Sequence, residues 1–178
     1  MSEPEGFRLR LDALRDTQDA IKVADLKVNF LVAFHTVVMF VAFPRISDFW
    51  NWYARSPGHP LSLLGFAFFG VLLVSLCVSV WHFIQCARAR TDSRRHIADA
   101  QTTTLFWNDI ASQSFEEFRE RLSTQGPAAV AAAFEHQLYV SACIARDKYH
   151  HVNRCYSWLM VVVLSFIGFM VLLQAIPH

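Results

Sequence analysis

The residues of this sequence whose type and spacing could do chemistry are mostly cationic and aromatic. Arg146-Asp147-Lys148-Tyr149 places two cations and a phenol on consecutive positions, with Tyr139 nearby. Arginine and lysine are the side chains that hold phosphate, the first as a planar fork and the second as a point charge. Trp107, Tyr139 and Tyr149 could stack on a base. Arg88, Arg90, Arg94 and Arg95 form a second basic set, Arg154 adds to Arg146 and Lys148, and Asp25-Leu26-Lys27 is a third charged group. The plainer reading of all three is topology control and contact with anionic lipid headgroups. On the Arg146–Tyr149 segment the competing reading is an anion-binding site for a cytoplasmic ligand.

Catalytic patterns are missing. There is no GxGxxG, GxxxxGK[ST], GxSxG, HExxH or CxxC. Glu116-Glu117 are neighbours on an expected helix and read as a solvated face. His150-His151 beside Asp147 lack a third ligand, and adjacent helix positions point about 100° apart, so no metal is expected. The four cysteines, Cys77, Cys86, Cys143 and Cys155, are expected to be reduced packing residues. His35 is the ionisable residue well inside an apolar run. It could line a path or pair across helices. The reading taken is a neutral imidazole bonded to a backbone carbonyl or to a hydroxyl such as Ser75 or Ser165. Neither an enzyme nor a resident cofactor is expected.

The elements that must position these residues follow from hydropathy. The chain is 54% hydrophobic and 17% charged, with a positive mean hydropathy of +0.28. That is too apolar for an ordinary soluble domain and too charged for a pure membrane bundle. The formal charge of +1 gives no bulk attraction to nucleic acid. Phe7, Leu11, Leu14, Gln18 and Ile21 mark one stripe of an amphipathic helix over residues 7–26. A first membrane segment is expected over 28–43, stopping at Pro44. It begins after 27 residues of mixed charge and reads as a retained anchor. Residues 44–60, with three prolines and the cluster Phe49-Trp50-Asn51-Trp52-Tyr53, are expected as a loop in the interfacial belt. A second segment covers 61–84 and a third 156–176, each long enough to span.

Lysine and arginine fix the expected orientation. Residues 1–27 hold five and residues 88–155 hold nine, against two in 44–60 and none after 176. Three crossings with a cytoplasmic N-terminus put the rich stretches on the inner side. The expected domains are a cytoplasmic N-terminal helix (1–27), two membrane helices with an outside loop at 44–60 (28–87), a cytoplasmic helical sensor region (88–155) and a third membrane helix (156–178). Within the sensor region a helix is expected over 93–122, with a break near Gln113-Ser114. Gly126-Pro127 then starts one helix that runs to 176, roughly 75 Å at 1.5 Å per residue. The fold class is an all-α membrane protein with three transmembrane helices. Its cytoplasmic bundle is formed by the N-terminal helix and extensions of the second and third membrane helices. Phe106, Ile110, Phe115, Phe118, Phe134, Leu138 and Leu14 are expected to mesh there.

Three motifs carry a resemblance. Ala24-Asp25-Leu26-Lys27-Val28-Asn29-Phe30-Leu31 resembles the opening of the small membrane effectors of Pycsar bacterial anti-phage systems. Phe106-Trp107-Asn108-Asp109-Ile110-Ala111 resembles their mid-chain aromatic–acidic motif. Gln137-Leu138-Tyr139 with Ile144-Ala145-Arg146-Asp147-Lys148-Tyr149, running into a membrane helix, resembles their closing motif. The resemblance implies a sensor–effector in the bacterial inner membrane. A partner cyclase makes a cyclic pyrimidine mononucleotide, cCMP or cUMP. The cytoplasmic helices bind it and the membrane part then impairs the bilayer. The ligand-binding residues so implied are Arg146, Lys148, Tyr149, Trp107, Asn108, Asp109, Asp25 and Lys27. The expected partners are the lipid bilayer, the cyclic nucleotide, the cyclase in a functional sense and further copies of the chain as a homo-oligomer. The competing readings are a constitutive accessory membrane protein that recruits a partner through 88–155, and an effector of a related nucleotide-signalling defence system.

Overall fold

The structure, a computed structural model, describes residues 3–55, 58–89 and 113–175. They form four helices: α1 (Glu3–Arg55), α2 (Pro60–Arg88), α3 (Phe115–Thr124) and α4 (Pro127–Ala175). Three of them, α1, α2 and α4, are long and apolar enough to cross a membrane. The chain divides into two compact units, Met1–Ala24 with Arg88–Lys148, and Asp25–Ala87 with Tyr149–His178.

α1 corrects the expectation for residues 44–60. It runs for 53 residues with Pro44 inside it, so the helix does not stop there. The proline removes one backbone N–H, a loss that membrane helices absorb where neighbouring groups take over the freed carbonyls. The stripe Leu31, His35, Val38, Ala42, Phe49 and Trp52 is buried on both sides of Pro44. Tertiary packing of that stripe outweighs the local stop signal. The connection to α2 shrinks to a few residues around Gly58, whose φ of 89° suits glycine. His59 closes the start of α2: its carbonyl accepts from Ser62 Oγ at 2.6 Å and its Nδ1 from the Leu61 N–H at 3.2 Å.

The membrane unit is arranged for an apolar solvent. Phe40, Leu63, Val74, Met160 and Leu164 face outward, while His35, Ser62, Ser75, Ser79 and Ser165 are buried. In lipid the interior gains from close packing and internal hydrogen bonds, and the outside needs no polar atoms. Val38, Ala42, Leu72, Leu76 and Val162 form one layer of the core. Phe49, Trp52, Phe169 and Leu172 form another. Two glycines let the helices approach: a Cβ at Gly65 would run into the Phe49 ring, and one at Gly168 would lie 2.5 Å from Phe68.

In the other unit, the expected break at 113–114 is the start of α3. The Ser114 N–H donates to the Glu117 carboxylate at 2.8 Å, and the Glu117 N–H to Ser114 Oγ at 3.3 Å, a reciprocal capping box. The Ser114 backbone and hydroxyl bonds hold the Glu117 carboxyl below the ordinary glutamate range. A depressed folded value means that the cap contributes above the unfolded pKa and is lost as pH falls through the folded one. The Ser114 amide resonance is therefore expected to titrate with a midpoint below that of a free glutamate, and to lose this titration in Glu117→Gln. Gly126 and Pro127 start α4, with Gly126 O accepting from Ala129 and Val130. The start of α1 packs on α4 within this unit: the Phe7 and Phe134 rings are 6.0 Å apart, and Arg10 pairs with Glu135 at 2.9 Å. Phe118, Phe134, Leu138 and Leu14 are half-buried. Phe115 is 70% exposed and does not join the mesh expected of it. A ten-residue helix buries one face, and Phe118 takes it. Phe106, Ile110 and the extension of α2 lie outside the described residues.

Candidate functional site

Of the eight residues expected to bind a ligand, Trp107, Asn108 and Asp109 lie outside the described residues. The remaining five divide between the two units, Arg146 and Lys148 in one and Asp25, Lys27 and Tyr149 in the other.

Arg146 and Lys148 are not equivalent. Residues two apart on a helix point about 200° from each other, so they cannot share a face. Arg146 is solvent-facing, bonded through Nε to the carboxylate of its neighbour Asp147 at 3.0 Å. Lys148 is 2% exposed and is the largest fully buried side chain among the described residues. Burying an ammonium is costly unless charged or polar groups surround it. Val140, Ser141 and Cys143 are buried in the same unit. The single-helix reading of α4 placed both cations on one segment, but the helical repeat turns only Lys148 inward.

In the membrane unit, Lys27 and Tyr149 meet each other. The Lys27 ammonium lies 5.3 Å from the centre of the Tyr149 ring, a cation–π contact between α1 and α4. That ring face is therefore occupied by lysine and is not open to a base. Tyr139, 60% exposed, keeps its ring accessible. Asp25 is half-buried beside this layer in sequence.

One feature was missed in the sequence. His82 of α2 and His151 of α4 approach with Nδ1 atoms 3.2 Å apart, and His150 lies against His151 with ring centres 5.3 Å apart. Both nitrogens of the short contact can bond only if one carries the proton and the other the lone pair. His82 and His151 are 69 residues apart, so the spacing carried no signal; the antiparallel register of α2 and α4 creates the pair. One turn further, the Cys155 thiol points to the Ser79 carbonyl at 3.8 Å. The described cysteines are free thiols, three of them buried. Among the described residues no group of three or more histidine, cysteine or acidic side chains could hold a metal.

Three apolar helices with polar residues inside and hydrocarbon side chains outside define a multi-span membrane protein. Its polar side chains include Lys27 and Tyr149 and the His82–His151 pair. The chain belongs to the Pycsar effector family, because residues 10–175 match the Pycsar effector protein domain. It is thus a membrane protein of antiviral defence, and the match takes in the three apolar helices and α3. No curated protein and no solved structure matches it.

Proposed function

We propose that this protein is the membrane effector of an anti-phage Pycsar system, switched by cCMP or cUMP from a partner cyclase and acting by impairing the bacterial inner membrane. The observation that carries the reading is the family match over 166 residues, from 10 to 175. The N-terminus and the 88–155 region are cytoplasmic in this reading, in line with the lysine and arginine distribution. The nucleotide binds the cytoplasmic helices, with Lys148 as the cation that meets the cyclic phosphate. A ligand that reaches a buried lysine binds a state in which the helices around it have parted. Its preference for that state is what drives the switch. α1 and α4 each carry residues of both units on one continuous helix, so a change at Lys148 has a covalent route toward the bilayer. Homo-oligomers of the activated state do the damage.

Calorimetric titration of the purified chain with cCMP and cUMP is expected to show saturable binding of one of them. The same nucleotide is expected to release dye from liposomes that hold the protein. Absence of binding to any cyclic mononucleotide or cyclic oligonucleotide would remove the reading. Binding without leakage would leave a sensor and remove the membrane-impairing step.

A further inference from the structure

The interior of the membrane unit holds two buried polar atoms whose hydrogen-bonding capacity is complementary. His35 on α1 is 4% exposed. Its Nδ1 lies 2.7 Å from the carbonyl of Leu31. A carbonyl only accepts, so Nδ1 carries the hydrogen and Nε2 is left with a lone pair. Nε2 is buried and has no partner among the described residues. Ser79 on α2 is fully buried, and its hydroxyl likewise has none.

Ser79 stands apart from the other buried hydroxyls of this unit. Ser62, Ser75 and Ser165 each close on a carbonyl three or four residues back in their own chain, at 2.6, 2.9 and 2.7 Å. That is the usual way for serine to be satisfied inside a membrane helix. The Ser79 hydroxyl makes no such bond, and so its O–H remains available to the interior.

The helix register brings the two residues to one depth. α1 and α2 are antiparallel, and Val38 and Ala42 of α1 share a core layer with Leu76 and Leu72 of α2. One turn back from Val38 is His35, and one turn on from Leu76 is Ser79. The next turn of α2 brings Phe83, whose ring meets His35 edge-on with centres 5.2 Å apart. On α4, Cys155 reaches the Ser79 carbonyl and marks the same layer. The register thus sets a hydroxyl donor and an imidazole acceptor at one depth on facing helices.

We propose that this layer is a binding site for a single water molecule inside the membrane unit, one turn in from the His82–His151 pair. The water donates to Nε2 of His35 and accepts from the hydroxyl of Ser79. Two fixed polar partners meet the lower requirement for an ordered buried water. The site joins α1 to α2 through a polar bridge, whereas the core layer beneath it, with Val38, Ala42, Leu72 and Leu76, is held by apolar contacts. It is accordingly a place inside the membrane unit that holds water while the helices stay packed.

Proton-detected solid-state NMR of the full chain, labelled with ¹⁵N-histidine and reconstituted in phosphatidylethanolamine–phosphatidylglycerol bilayers, tests this. His35→Phe assigns the His35 signals by their disappearance. The wild-type chain is expected to show His35 as the neutral Nδ1–H tautomer, with a cross-peak from Nε2 to a water proton. Ser79→Ala is expected to lose that cross-peak with the remaining histidine signals in place, and Ser79→Thr to keep it. A wild-type Nε2 without a water cross-peak, or one bonded directly to the Ser79 hydroxyl proton, overturns the proposal. So does a cross-peak that survives unchanged in a folded Ser79→Ala. Should that variant not fold, the wild-type spectrum decides alone.

Discussion

Lys148→Met is expected to abolish phage protection and to weaken cCMP or cUMP binding by about 10- to 100-fold, the equivalent of losing one charge-assisted hydrogen bond of about 1.5–3 kcal/mol. Methionine keeps an unbranched stem of similar length and removes only the ammonium. The substitution therefore separates charge from packing at a position that is 2% exposed. Arg146→Ala is expected to bind within a few-fold of the wild type. Its guanidinium faces solvent and is engaged by Asp147, and an exposed pair of that kind is screened by water and contributes little. Calorimetry on both variants, next to a plaque assay and a thermal melt, provides the comparison. A Lys148→Met chain that binds nucleotide as well as the wild type would remove Lys148 from the site. Loss of binding in Arg146→Ala equal to that in Lys148→Met would mean that an outward-facing cation takes part, against the division of faces that α4 imposes.

That division shows where sequence reading was strong and where it ran out. α4 was legible almost to the residue, because Gly126-Pro127 punctuates its start and no helix breaker stands in its soluble half. The expected break near Gln113-Ser114 falls at the start of α3, where Ser114 and Glu117 form the capping box. Pro44 was misleading. A proline is a reliable stop in water, where a freed carbonyl and a lost turn have alternatives. The buried stripe from Leu31 through Ala42 to Phe49 and Trp52 keeps helical spacing across it, and in an apolar solvent the chain does better to stay helical. Period 3.6 through the proline was the available signal. What no spacing could supply is contact between distant segments. The Lys27–Tyr149 and His82–His151 pairs join residues 122 and 69 positions apart; the first follows from the parallel run of α1 and α4, the second from the antiparallel run of α2 and α4. The division between Arg146 and Lys148, by contrast, was already implicit in the 3.6 repeat. Which of the two faces inward needed the packing partners.

The second large effect is expected at the opposite end of the membrane unit from Tyr149. Phe169→Ala should destabilise the chain by about 3 kcal/mol or somewhat more, the range for deleting a fully buried aromatic ring. Phe169 is fully buried. Its ring sits 5.8 Å from that of Phe49 on α1 and 5.7 Å from that of Phe69 on α2, so one side chain of α4 holds both other helices. In a bilayer the transfer part of the cost shrinks, because lipid tails are as apolar as the core. The dispersion part remains, since the cavity left behind loses its contacts and a lipid chain cannot enter between packed helices. Leu164 serves as the control. It is 64% exposed on the outer face of the same helix, where lipid fills the space left by a truncation, and Leu164→Ala is expected to cost less than about 1 kcal/mol, as surface substitutions do. Equilibrium unfolding in mixed micelles measures both. Equal losses at the two positions would mean that the aromatic layer of Phe49, Trp52, Phe169 and Leu172 does not hold the three helices together.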